Sequence, residues 1–215
     1  DALTAPLVPG LVGGATGPLY FHWGDNWSVN LELADVEPKR SIKERQQLVV
    51  SPQQVTLKGQ FEVTAVEREL FDLSFVLRGQ PAQWQVKTVL VDGSPTGFEY
   101  RIEDRADRRL LMIELPRPIQ REKTANVTIV TQHVPSNWDW PGDAPDRSII
   151  IPLIQSQGET VSGYVSVMAE GDLDVTPQKV PDRLEPVPAG RMASLGMAWA
   201  VQHAYSNNTA VDGDI

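Results

Sequence analysis

Apolar and polar residues alternate along this chain with a period of two, and the alternation recurs from segment to segment. From Val55 the apolar positions are Val55, Leu57, Phe61, Val63 and Ala65, with Thr56, Lys58, Gln60, Glu62 and Thr64 between them. A second set follows at Phe71, Leu73, Phe75 and Leu77, against Asp72, Ser74 and Arg78. Successive side chains of a strand point to opposite faces, so each segment has one apolar and one wet side. Antiparallel sheets stacked face to face are built this way. The pattern predicts a pair of long strands at 54–67 and 69–78.

Further strands follow from the same signal. Leu19 to Trp23 and Trp27 to Leu33 flank Gly24-Asp25-Asn26, residues that tolerate the positive φ of a hairpin turn. Trp84 to Val91 is closed by the turn Asp92-Gly93. Residues 98–103 and 109–115 form a hairpin with a polar tip at 104–108, and Pro116 and Pro118 are expected to end its pairing. Strands are also expected at 125–133, 148–154 and 161–168, whereas the polar stretch 35–47 reads as a loop or one short helix. About ten strands result, with little or no helix, which is the signature of an all-β, antiparallel β-sandwich.

Gly and Pro divide the chain. Residues 1–17 read as an extended N-terminal arm and 18–174 as the β-sandwich domain. Pro177, Pro181, Pro186 and Pro188 make 175–190 a proline-rich strap or linker. Residues 191–215 fit two patterns. Trp199, Val201, His203 and Tyr205 alternate as a strand, while Met192, Leu195 and Trp199 fit a helical face, the start of a following domain.

Charge and composition narrow the function. A formal net charge of -9, with Lys and Arg interleaved among acids, argues against a nucleic-acid partner. The chain has no cysteine, which removes disulfides, thiol catalysis and thiolate metal sites. No stretch is long enough to span a bilayer as a helix. A start at Asp1 without Met suggests a mature exported bacterial protein, with more polypeptide after Ile215.

Two tryptophan-rich segments carry the candidate chemistry. One contains Trp23 and Trp27, and the other contains Trp138, Asp139, Trp140 and Asp143 around a Pro141-Gly142 tip. Ring faces beside carboxylates and amides suit a sugar; the same rings also serve as anchors closing the ends of a sandwich. Asp139, Asp143 and Asp146 with Asn137 offer oxygens to a hard cation, but match no EF-hand spacing and read rather as solvated turn residues. A glycosidase needs two carboxyls facing across a cleft, and nothing singles out a pair such as Asp25 and Asp139. His22, His133 and His203 lie far apart, without an HExxH arrangement, and read as strand histidines. No Gly-x-Ser-x-Gly elbow is present, and no cofactor is implied.

The stretch from about Val55 to His133 resembles the N-terminal β-domain of M1-type zinc aminopeptidases. The similarity rests on the long alternating pair, the strand ending in Val91-Asp92-Gly93, the run Leu110-Leu111-Met112-Ile113-Glu114-Leu115-Pro116, and the bridge into Val127-Thr128-Ile129-Val130. In that family this domain is a non-catalytic scaffold, and the zinc ligands lie in a later helical domain. The resemblance implies an accessory domain of a larger exported protein. The chain as a whole reads as a non-catalytic structural or binding module, with a glycan or other domains of the same polypeptide as partners. Two alternatives stay open: a carbohydrate-binding module using the Trp138/Trp140 loop, and a glycoside-directed enzyme with an unidentified carboxylate pair.

Overall fold

Phe61 and Phe75 meet with ring centroids 4.8 Å apart and planes tilted by 50°, both sealed from solvent, and two sheets close around that contact. A computed structural model describes residues 38–78, 83–105, 108–134, 153–156, 159–171, 173–178, 180, 184–188 and 201–207. The elements among them are strands: β1 (Arg40–Val50), β2 (Val55–Ala65), β3 (Leu70–Arg78), β4 (Gln85–Val91), β5 (Glu99–Asp104), β6 (Arg108–Ile119), β7 (Thr124–His133), β8 (Ile154–Ser156), β9 (Glu159–Ala169), β10 (Leu184–Pro186) and β11 (Val201–Asn207). One sheet has the order β10-β11-β9-β1-β2-β7-β4 and the other the order β5-β6-β3-β8. The expected all-β sandwich is what the described residues form.

The core follows the alternation. Val55, Leu57, Phe61, Val63 and Ala65 of β2 all point inward and are at most 1% exposed. Leu73, Phe75 and Leu77 of β3 and Leu111 and Ile113 of β6 meet them from the smaller sheet. The expected turn at Asp92-Gly93 is a two-residue hairpin: both residues have positive φ (50° and 78°), and Val91 and Ser94 exchange backbone hydrogen bonds of 3.0 and 2.9 Å.

Four expectations need correction, each for a physical reason. The segment 35–47 is neither loop nor helix over its described part: β1 lies between β2 and β9 inside the larger sheet. Its alternation was hidden because two of its inward positions are polar, Glu44 and Gln46, exposed by only 4% and 1%. Second, β2 and β3 are not a hydrogen-bonded pair but belong to opposite sheets. Periodicity fixes which way side chains point, not which strand lies alongside. Third, the sandwich is not purely antiparallel, since β1 and β9 pair in parallel.

The fourth concerns the prolines. β6 runs on through Pro116 and Pro118 to Ile119. Two steps along β3, from Leu70 to Asp72, match five along β6, from Ile119 to Glu114, so the proline stretch bulges out of the ladder and pairing resumes beyond it. The irregularity turns Phe71 outward, 60% exposed, while Leu70 takes the core position at 1%.

Two polar devices join the sheets. Within the core, the Gln46 amide donates from Nε2 to the Ile154 carbonyl at 2.8 Å and accepts the Ile154 N–H on Oε1 at 2.9 Å. One side chain thus occupies both backbone groups at the edge of β8, as a neighbouring strand would. The residue opposite Gln46 on β2 is Gly59. A Cβ there would lie 2.7 Å from the Phe61 ring and 3.0 Å from Ile154 Cδ1, so the glycine leaves the space that lets both side chains in. At one end, Arg109 of β6 donates Nη2 to Asp104 Oδ2 at 3.0 Å and Nη1 to the carbonyl of Trp84, just before β4. Trp84 packs on His133, centroids 5.5 Å apart, and His133 donates Nδ1–H to the Gln83 carbonyl at 2.9 Å.

Near the other edge of the large sheet, the Gln202 amide accepts the Val175 N–H at 2.9 Å and donates to the Leu173 carbonyl at 2.8 Å. His203 donates Nε2–H to the Val175 carbonyl at 2.7 Å. Leu173 and Val175, where the chain enters the proline-rich stretch, thus bond to β11, and β10 then pairs with the same strand.

Two outcomes test these joints. Gln46→Leu keeps the shape but leaves the buried Ile154 groups without their partner, and lowers the unfolding free energy by about 2–4 kcal/mol; Gly59→Ala costs about 1–3 kcal/mol through overpacking. Urea denaturation measures both. The hydrogen bond from Arg109 holds the Asp104 carboxyl below its ordinary value of 3.8, against a smaller opposing effect of desolvation. The stability this pair contributes is present above the unfolded value and is lost as pH falls through the lower folded value. Asp104→Asn should therefore flatten the decline of the denaturation midpoint below about pH 4.

Candidate functional site

The six residues expected to bind a ligand, Trp23, Trp27, Trp138, Asp139, Trp140 and Asp143, lie outside the described residues, as do Asp25, Asn137, Asp146 and His22. His133 and His203 are strand residues that donate to separate backbone carbonyls. Among the described residues no group of three or more His, Asp or Glu side chains is arranged to hold a metal ion. No helix among them is long and apolar enough to cross a membrane.

What the described residues do present is a groove of about 160 Å³ on the larger sheet. It crosses β9, β1, β2 and β7, and register places its outward side chains in two rows. One row runs Ser162, Lys43, Glu62, Asn126; the next runs Tyr164, Arg45, Gln60, Thr128. Neighbouring strands are about 4.8 Å apart, so four of them carry each row across roughly 14 Å. The opposite faces of the same strands carry Phe61 and Val127, both 1% exposed. The polar side chains of the groove therefore stand on a packed floor.

Lys43 and Glu62 form an ion pair at 3.8 Å, with side chains 63% and 46% exposed. Beneath them Glu44 is buried, at the register position shared by Phe61 and Gly163. The remaining groove groups are a guanidinium, two amides, two hydroxyls and the Tyr164 phenol, which together donate and accept hydrogen bonds over most of the surface. The half-buried Tyr164 adds an aromatic surface at one end.

Sequence reasoning marked Gln60 and Glu62 as the wet side of β2 without gathering them into a site. The missing signal was β1: with 35–47 read as loop or helix, Lys43 and Arg45 had no strand to stand on. Tyr164 joins them only through the parallel pairing of β9 with β1, a contact between residues 119 positions apart (Arg45 with Tyr164).

No family model and no curated protein matches the chain. Among solved structures it is similar to an M1 zinc metallopeptidase from Deinococcus radiodurans, with 13% identity and a TM-score of 0.41 over 79% of this chain and 39% of that one. It is also similar to leukotriene A4 hydrolase from Saccharomyces cerevisiae, with 13% identity and a TM-score of 0.39 over 79% of this chain and 27% of the enzyme. A third is a non-cellulosomal cohesin from the archaeon Archaeoglobus fulgidus, with 12% identity and a TM-score of 0.34 over 60% of this chain and 91% of the cohesin. The expected resemblance to M1-type zinc aminopeptidases is met by solved M1 zinc metallopeptidases that match over 79% of this chain, and the chain spans about two fifths of the length of the first of them.

Because the groove side chains are solvated and their strands are held from the other face, their removal should leave the fold intact. Alanine at Arg45, Gln60 or Thr128 is expected to change the unfolding free energy by less than about 0.5 kcal/mol, measured by urea denaturation.

Proposed function

We propose that this chain is a non-catalytic β-module that binds a glycan along the outer face of its larger sheet. The observation that carries the reading is the two-row raft of Ser162, Lys43, Glu62 and Asn126 beside Tyr164, Arg45, Gln60 and Thr128. A sugar presents hydroxyls that both donate and accept, and amide and hydroxyl side chains answer both roles. Its C–H faces need an apolar plate, which the Tyr164 ring supplies. The side chains project from paired strands, so binding orders side chains but no backbone.

The dimensions favour surface contact over engulfment. Pockets that bury a small molecule measure roughly 300–1,000 Å³, and this groove, at about 160 Å³, is smaller. It fits an extended chain laid across the strands better than an isolated compact ligand. Such a surface needs no reacting group, and the module's role is then to hold its polypeptide against a glycan.

Calorimetry against a panel of soluble polysaccharides tests the reading. The expected result is binding to at least one glycan, lost by about tenfold or more in affinity in Tyr164→Ala and in Arg45→Ala, with unchanged denaturation midpoints. Failure of every glycan to bind would overturn it. Binding that survives Tyr164→Ala and disappears in Trp140→Ala would move the site to the second tryptophan-rich segment, and turnover of chromogenic glycosides by the purified chain would make it an enzyme.

A further inference from the structure

Among the described residues β5 forms one edge of the smaller sheet, with β6 as its single neighbour. Beyond its end, Arg105 and Arg108 exchange both backbone hydrogen bonds, at 2.9 and 3.4 Å. Such doubly bonded pairs alternate along an antiparallel ladder. With Asp104 opposite Arg109 and Glu103 opposite Leu110, the groups of Glu103, Arg101 and Glu99 point to β6. Those of Tyr100, Ile102 and Asp104 point away from β6, to an edge that no other described strand pairs with. The pairing of β5 with β6 has no register shift, and β5 contains no proline. An edge like this is a template for another strand.

Its side chains specify which strand. One face carries the alternating charges Glu99, Arg101, Glu103 and Arg105; the other carries Tyr100 and Ile102, 49% and 40% exposed. We propose that β5 is the interface of a symmetric dimer of this chain, two copies pairing antiparallel about Ile102. Ile102 then faces Ile102 of the second copy, and Tyr100 faces Asp104, which are the positions whose backbone groups point outward. Arg101 faces Glu103 and Glu99 faces Arg105, at the positions between them where side chains approach most closely. A two-fold axis makes each contact twice, so every charge on the Glu99–Arg105 face meets its opposite.

Other registers fail. Centring on Arg101 or on Glu103 opposes like charges, Arg101 against itself or against Arg105. Centring on Tyr100 or Asp104 leaves one kind of ion pair instead of two. Shifting by a single residue sets the apolar face of one strand against the charged face of the other. Within one copy Arg101 lies 3.6 Å from Glu103 and 3.3 Å from Glu114, and Arg105 lies 3.5 Å from Glu103, all between side chains 41–57% exposed. Exposed pairs of this kind contribute little, so exchanging them for contacts across the axis costs little. On the apolar side Tyr100 reaches Ile102 of the second copy diagonally.

Sedimentation velocity of the full chain from micromolar to submillimolar concentration tests this, combined with residue-resolved amide exchange. The expected result is a monomer–dimer equilibrium in which the amides of Tyr100, Ile102 and Asp104 become protected as concentration rises, while those of Glu99, Arg101 and Glu103 do not change. R101E and E103R should each weaken dimerisation by about tenfold or more, and the double variant R101E/E103R, which restores opposite charges across the axis, should recover it. Unchanged protection in β6 confirms that each variant is folded. A monomer throughout, a dimer whose Tyr100, Ile102 and Asp104 amides stay unprotected, or a double variant no better than the singles would overturn the proposal. The glycan arm is read separately, since it uses the other sheet.

Discussion

The hydrogen-bond pair between Gln46 and Ile154 is the joint on which the two-sheet arrangement turns. Stacked sheets are held mainly by apolar burial, which is strong but non-directional. A face of Leu, Val and Phe fits its opposite in several offsets. A buried amide does not, because leaving its groups unpaired costs about 1–3 kcal/mol each. By bonding both backbone groups of one residue, Gln46 fixes the position of β8 relative to β1. Gly59 and Phe61 then have one way to fit, with the ring in the space that a Cβ at Gly59 would take. Directional polar contacts supply the register that greasy surfaces lack.

The outer face inherits that order. In a strand a single register sets both sides at once, so the pairings that bury Phe61 beside Val127 also place Glu62 beside Asn126. The groove needs no scaffolding of its own. Its rows stay aligned as long as the core does, and its polar side chains can change without disturbing the layer beneath. Stability and recognition are carried on opposite faces of the same four strands. The Arg109 clamp adds a fixed end, joining β5 and β6 to the start of β4 through the Trp84 carbonyl.

The inward face of β2 was legible in the sequence because every inward position from Val55 to Ala65 is apolar or glycine. β1 was not, because Glu44 and Gln46 occupy core positions and break the alternation that would reveal it. The residue that most constrains the fold is thus one that conceals its strand. Strand partners were also hidden: β2 and β3 show the same period whether they lie side by side or face to face, and no local signal marks the parallel pairing of β9 with β1. The bulge at Pro116 and Pro118 was visible as a disturbance but read as an end. The groove residues were visible singly, as wet positions; their grouping required the register.

Sheet edges show a last consequence of the same alternation. A two-sheet sandwich has four edges, and unguarded ones recruit other strands. β10 ends in Pro186. On β8, Gln46 occupies the backbone groups of Ile154. β4 is broken between Val86 and Thr88, where Lys87 is exposed. Each of these limits pairing by a different means: a proline, a side-chain cap or a bulge. β5 has six residues in unbroken register and alternating charges that complement themselves in the antiparallel sense. Charges that merely repelled strands would be of one sign. Alternating ones select, admitting a strand of matching pattern in one register and rejecting it in the next. The strand of matching pattern that is always present, at a concentration equal to its own, is the second copy.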